Sequence, residues 1–277
     1  MRPTFTRTNV ANLPAFEKNL QKFFKLLPED GSTVDLKPLL CKLLGKLAFL
    51  YRDKKYYDSI KVAHAFADFY VDKAIEYRTE RLSKEQSAEK DRSGHKYVLL
   101  HDMAMQTGNR NELRSQILHV FLAGHESSAI TIGNAVFQLS RNPSVWEKLR
   151  QEVIEVHGTS VSSFTHDRLK NLKYLQNVIK ETLRLYPVAS IASRKAYKNG
   201  VLPRGGGSDG AAYIPFGWGI RTCPAQHLAE IEIAYTLASM AQKWKYLECR
   251  DEVEEWVEEL RVSTSSRNGV KVALVAE

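Results

Sequence analysis

The stretch from Glu112 to Ser140 constrains this chain more than any other. It reads as one long helix, on the order of 40 Å at 1.5 Å per residue. It is mostly apolar: Ile117, Leu118, Val120, Phe121, Leu122, Ala123, Ile130, Ile132, Val136, Phe137 and Leu139. Yet its middle reads Gly124-His125-Glu126-Ser127-Ser128. A glycine inside a helix costs up to about 1 kcal/mol, so Gly124 marks a local opening. Beside that opening stand an acid, Glu126, and a small hydroxyl, Ser127. Such groups hold water and relay protons, or form a satisfied polar cluster between helices.

Other helices flank this one. Leu13–Leu27 carries Leu13, Phe16, Leu20, Phe23 and Phe24 at helical spacing and stops at Pro28, before the turn Gly31-Ser32-Thr33. Leu36–Leu50 is strongly apolar. Asp58–Tyr77 is amphipathic through Val62, Phe66, Phe69, Tyr70 and Ile75. Arg78–Lys96 is charged and reads as a linker. Tyr97–Met105 is a short helix, and Asn109–Asn111 a break. Asn142-Pro143 supplies a cap and first residue for Ser144–Val156, which His157-Gly158 closes. Arg168–Tyr186 is helical up to Pro187, and Ala225–Trp244 is helical again. Arg204–Gly210 is a glycine-rich loop. Asn268-Gly269 suggests a hairpin between Arg261–Ser265 and Val270–Val275. The class is mainly α with minor β.

With 277 residues, 43% of them apolar, a full core needs no disulfide staples. The three cysteines, Cys41, Cys223 and Cys249, are widely spaced and form no CxxC pair, which argues against a disulfide framework or structural zinc. The net charge of +8 is interleaved with acids, and no basic patch with aromatics stands out. Nucleic acid is therefore not expected as a partner. An acidic protein partner or an anionic membrane surface suits this charge at least as well. No stretch has the ~18 apolar residues of a membrane span.

The chemistry concentrates in Phe216-Gly217-Trp218-Gly219-Ile220-Arg221-Thr222-Cys223-Pro224-Ala225. Two glycines permit a tightly wrapped backbone. Cys223 precedes a helix N-terminus and has Arg221 nearby, both features that favour a thiolate. No second Cys or His stands at zinc spacing, although His227 lies four residues on. A lone thiolate suits an axial haem position; a buried structural cysteine or a reactive thiol is the alternative.

This decapeptide resembles the haem-binding signature of the cytochrome P450 family, with Phe216, Gly219, Arg221, Cys223 and Ala225 at matching positions. The resemblance implies that Cys223 is the proximal iron ligand, that Arg221 faces a haem propionate and that Phe216 packs near the sulfur. Glu181-Thr182-Leu183-Arg184 resembles the family's Glu-x-x-Arg pair, which is buried and structural there; Leu175, Val178, Ile179 and Tyr186 make a buried site plausible here. Ala123-Gly124-His125-Glu126-Ser127 resembles its oxygen-activating groove, with Ser127 as hydroxyl, where threonine is commoner, and Glu126 as acid. Arg194 lies where the family often has a propionate-binding arginine; an exposed strand arginine is the other reading.

Further patches, among them Arg2-Pro3-Thr4-Phe5, Leu172–Val178, Arg184-Leu185-Tyr186-Pro187 and Leu202–Gly207, resemble fungal alkane- and fatty-acid-hydroxylating members. That resemblance implies haem, a hydrophobic substrate, electrons from an NADPH-dependent reductase and the endoplasmic reticulum membrane. The whole chain, 1–277, then reads as one partial domain, with a helical segment at 1–90 and a haem-binding core at 97–277. Against a complete member it is incomplete. The N-terminal anchor and first elements are not seen, which suggests a peripheral or cytoplasmic chain. The pattern jumps between Lys46 and Tyr51, and again at Gly210–Ala212, where the family's meander belongs.

Overall fold

The computed structural model describes residues 17, 34–35, 54–86, 98–158, 164–191, 213–260 and 263–276. The expected Leu13–Leu27 helix, apart from helical Glu17, the Leu36–Leu50 stretch, Arg194, the Arg204–Gly210 loop and both jumps lie outside them. The elements run β1 Val34–Asp35, α1 Lys54–Gln86, α2 Leu99–Gln106, α3 Arg110–Gly124, α4 Ser127–Arg141, α5 Pro143–His157, α6 His166–Asn171, α7 Lys173–Leu185, α8 Gln226–Lys243, β2 Tyr246–Cys249, β3 Glu258–Leu260, β4 Thr264–Ser266 and β5 Lys271–Val275. Mainly helical with minor strand, this matches the class read from sequence.

Contacts divide the chain into two compact units, one ending at His125 and holding α1–α3, the other holding α4–α8 and the strands. In the first, Val71, Ala74, Leu100, Met103, Ala104 and Leu113 form the core. Arg110 grips Asp72 with two hydrogen bonds, at 2.7 and 3.0 Å, and holds that carboxyl below its usual pKa. Arg78 donates to the Ala104 carbonyl at 3.2 Å, and its guanidinium would lie 2.7 Å from any Cβ on Gly108. A side chain there would push the guanidinium tip aside. The charged stretch after Tyr77 is not a linker at its start: α1 runs on to Gln86. Arg, Lys, Glu and Gln are good helix formers, so charge alone does not end a helix.

In the second unit α8 is the centre. Ile231 and every residue from Ile233 to Gln242 are buried. Around it pack Val136, Phe137 and Leu139 of α4, Trp146, Leu149 and Val153 of α5, Leu175, Ile179 and Leu183 of α7, and Leu247, Val272 and Leu274 of the sheet. The expected Arg168–Tyr186 helix is split at Leu172, where the backbone turns to φ −73°, ψ 88°. Glu152 of α5 causes or seals the split. Its carboxylate accepts from Tyr174 N at 2.8 Å and Leu175 N at 3.0 Å, capping the free N–H groups of α7.

The hairpin expected at Asn268-Gly269 does not form. Gly269 turns the chain at φ +81°, but β4 pairs with β3 and β5 pairs with β1 and β2. Val272, Ala273 and Leu274 are buried in succession, so β5 is covered on both faces and takes the middle of the order β1-β5-β2. β4, with Thr264 and Ser266 buried, joins β3 in a separate two-stranded sheet.

Arg141 ties the end of α4 to the loop before β3. It donates to the carbonyls of Glu254 and Val253 at 2.9 and 3.0 Å, lies 3.5 Å over the Phe137 ring and reaches Asp251 at 3.5 Å. The Asp251 side chain is only 1% exposed. Without Arg141, buried Asp251 keeps, among the described residues, only Lys271 at 3.9 Å and the Val253 N–H at 3.3 Å, and removing one partner of a buried pair is costly. We therefore expect Arg141→Leu to cost about 3 kcal/mol in urea unfolding; a loss below about 1 kcal/mol, the range of surface pairs, would refute the clamp.

His157 ends α5 with both ring nitrogens buried and, among the described residues, without a hydrogen bond, edge-on to Phe164 at 4.6 Å. Burial, and then the Arg168 charge, hold its pKa below 6.5. Below the ordinary histidine pKa the unfolded chain therefore binds more protons than the folded one. Stability is full above about pH 6.5 and falls as pH drops beneath it. His157→Leu should flatten that slope in thermal melts between about pH 7.5 and 5.5.

Candidate functional site

The Cys223 loop is a closed backbone structure. Cys223 N donates to Phe216 O at 2.9 Å, and Gly217 N donates to Ile214 O at 2.9 Å. Between them the chain reverses through Gly217 and Gly219, at φ +75° and +70°, a region side chains disfavour. A short 3₁₀ turn, Gly219–Arg221, follows, and Thr222 bonds Gly219 O through both its N–H and its hydroxyl. Helix α8 begins at Gln226 with Ala225 as its N-cap, so Pro224 sits in the turn before the helix rather than as its first residue. Phe216 packs against the main core and anchors one side of the loop.

The other side faces outward. Cys223 is exposed, as are Ile214, Trp218 and Ile220, the last at 92%. A Cβ built on Gly219 would meet nothing within 4 Å. Arg221 is exposed as well. The loop thus presents a thiol, a cation and apolar surface around an open backbone. That donor set fits a large apolar group that carries a thiol-seeking metal and an acidic edge. Among the described residues no group of three or more His, Cys, Asp or Glu could hold a metal by itself.

The expected groove falls at a real break. The long helix read from the sequence is two helices: α3 ends at Gly124, and α4 begins at Ser127. A Cβ on Gly124 would meet nothing, and His125 Nδ1 bonds Leu122 O at 3.1 Å, drawing the turn away from helical continuation. Ala123 and Gly124 close α3, exposed. Glu126 precedes α4, with φ −114° and ψ −33°, and Ser127 opens it. Glu126 is partly buried and accepts from Ser263 at 3.3 Å.

Glu181 and Arg184 do pair, through two bonds at 2.7 and 2.6 Å, each holding the other charged. They are not buried as expected: the side chains are 56% and 58% exposed. In α7 the buried positions are Leu175, Ile179, Thr182 and Leu183, so the pair points away from the core stripe. The loop still lies near: burial, followed by Glu230 of α8 and Glu181 of α7, pushes the Tyr213 phenol up.

Two residues of this region carried no sequence signal. Glu232 lies between Ile231 and Ile233 on α8 and accepts from Ser128 of α4 at 2.9 Å. Burial pushes its carboxyl up, and the Ser128 bond pulls it part of the way back. Ser263 is remote from the groove in sequence and reaches it only through the fold.

A family profile described as Cytochrome P450 matches residues 12–205 and 202–272, two pieces that meet just before the expected jump. Cytochrome P450 monooxygenase fsdH of Fusarium heterosporum is 28% identical over 366 residues, covering 99% of this chain and 64% of that one. Because the chain has only 277 residues, that relative carries stretches which this chain skips. Cytochrome P450 52A8 of Candida tropicalis is 32% identical over 262 residues, covering 76% of this chain and 49% of that one. The chain thus spans about half to two thirds of the length of these curated relatives. The crystal structure of a cytochrome P450, CYP102L1, superposes with a TM-score of 0.75 at 19% identity, over all of this chain and 80% of that one, and shares its fold. The family's cofactor is haem, and the thiol, the exposed apolar residues and the open face at Gly219 fit it. On the family profile, the relatives and the fold together, this chain belongs to the cytochrome P450 family.

Proposed function

We propose that the chain is a haem-thiolate monooxygenase that hydroxylates an alkyl chain, an n-alkane or a fatty acid. The observation that carries this reading is the closed loop that presents Cys223 on an open, apolar face. Similarity to cytochrome P450 52A8 and to cytochrome P450 52A3-B of Candida maltosa, 30% identical, joins the sequence patches in favouring the alkane-hydroxylating subgroup. Haem, when bound, puts one atom of dioxygen into a C–H bond and releases the other as water, with two electrons and two protons supplied from outside.

This chain's residues hold and serve that group. Cys223 would ligate the iron through its sulfur, with Phe216 near it. Arg221, and Arg194 from outside the described residues, would neutralise propionates. Gly219 and Ala225 would leave room for the group at the loop. Ala123 and Gly124 end the helix at the break, and Glu126 with Ser127 serves in proton delivery. Glu181 and Arg184 brace the helix beside the Cys loop. Electrons come from an NADPH-dependent reductase docking near the cysteine, and the substrate is a hydrophobic small molecule. Among the described residues no helix is long and apolar enough to cross a membrane. We place the protein at the endoplasmic reticulum membrane, by its resemblance to the alkane-hydroxylating members.

One finding favours a second reading, a member that keeps the fold but binds haem weakly or not at all. The Glu181–Arg184 pair is exposed, and among the described residues no third partner completes it. The reduced, carbon-monoxide-bound spectrum separates the two. The first reading expects the red-shifted Soret band of thiolate-ligated haem, lost in Cys223→Ala; an unshifted band or no bound haem supports the second.

In the haem-free chain, iodoacetamide should modify exposed Cys223 faster than half-buried Cys249, and haem should protect Cys223. Mass mapping reads both, and equal protection of the two thiols would count against Cys223 as ligand. Glu126→Gln should keep the Soret band and cut product formation about 100-fold, the scale of a lost proton-transfer group.

A further inference from the structure

Glu126 stands at the break between α3 and α4, and its position depends on a residue far along the chain. Ser263 Oγ donates to Glu126 Oε2 at 3.3 Å, across 137 residues of sequence. Both residues are partly buried. Glu126 makes no side-chain cap to its own helix. Its other oxygen, Oε1, has no hydrogen-bond partner among the described residues. One oxygen is held, and one is left for a water or an incoming proton.

Ser263 is itself held by its neighbour. Thr264 is 4% exposed and is fastened twice to the segment after α7: its N–H donates to Val188 O at 2.9 Å, and its hydroxyl shares a hydrogen bond with Ser190 Oγ at 2.7 Å. It also opens β4, opposite Leu260 of β3. The backbone at Ser263 is thus fixed by strand pairing and by the segment that follows Leu185. A serine hydroxyl on such a support aims one hydrogen bond without a long side chain to order.

We propose that Ser263 is a positioning residue for the groove acid: it pins Oε2 of Glu126, so that Oε1 is the oxygen that exchanges protons. This rests on the reading of Glu126 as a proton-handling group. Ser263 touches neither substrate nor cofactor; it acts through Glu126. The arrangement makes Ser263, just before β4, a structural control on how well electrons are coupled to product. A carboxylate free to rotate passes protons at the wrong place, and reducing equivalents then leave as peroxide.

The test uses the full chain with haem, a reductase, NADPH and a long-chain fatty acid, and compares Ser263→Ala, Ser263→Thr, Glu126→Gln and the S263A/E126Q double variant. Product formed per NADPH should fall about tenfold in Ser263→Ala, the scale of one lost hydrogen bond to a charged group, with the Soret band unchanged. Ser263→Thr, which keeps the hydroxyl, should restore coupling. Ser263→Ala should add nothing in the Glu126→Gln background. A second readout needs no haem: unfolding midpoints of the haem-free wild type, Ser263→Ala, Glu126→Ala and their double variant should be non-additive, because the two side chains touch. Unchanged coupling in Ser263→Ala while Glu126→Gln loses turnover, or strict additivity of the midpoints, overturns the role of Ser263 and leaves the monooxygenase reading standing. A wild-type chain without the thiolate band overturns that reading and, with it, this role.

Discussion

Everything in the second unit depends on α8 being buried almost all round. From Ile231 to Gln242 it has almost no solvent face, so α4, α5, α7 and the sheet are fixed by what each lays against it. A helix enclosed in this way does not slide or rotate without opening the core. Its N-terminus is therefore a fixed point, and the Cys223 loop is built onto that point. The glycines let the loop turn back, the Cys223–Phe216 bond closes it, and Phe216 packs into the same core as the helix. A rigid core element carrying a short, open, hydrogen-bonded loop is how a backbone holds one sulfur in one place.

Local chemistry made that loop legible in the sequence. Two glycines, a basic residue, a cysteine and a proline lie within ten residues, and the geometry they permit is the geometry that forms. Gly124 was readable for the same reason, as a missing side chain in a long apolar helix, although the sequence hinted at an opening and the chain makes a full break. The misread elements were decided elsewhere in the molecule. The division at Leu172 belongs to Glu152, a carboxylate one helix earlier. The turn at Gly269 was visible, but its flanking strands took partners distant in sequence, which a local turn signal does not report. The continuation of α1 past Tyr77 turned on propensity, where charge had suggested solvent and a linker.

Polar groups near the site followed the same division. The Glu181–Arg184 spacing predicts a pair, and the pair is there, but burial depends on which helix face meets the core, and that face carries Ile179 and Leu183. Glu232 gave no sign among its isoleucines; only the packing of α4 on α8 brings Ser128 to it. Spacing along a helix reports neighbours three or four residues away. It says nothing about groups a hundred residues away, and those set the surroundings of Glu126 and Glu232.

The small sheet bears on how the chain is made. Val34 of β1 pairs with Val272 of β5, so one strand closes on another that is synthesised much later. Contacts between such distant parts form late, after the cost of closing a very large loop. During synthesis β1 has no partner until β5 has emerged, and its free edge is open to other chains for that interval. The order of translation, rather than the strength of the core, then sets the period in which this protein is most exposed to misassembly.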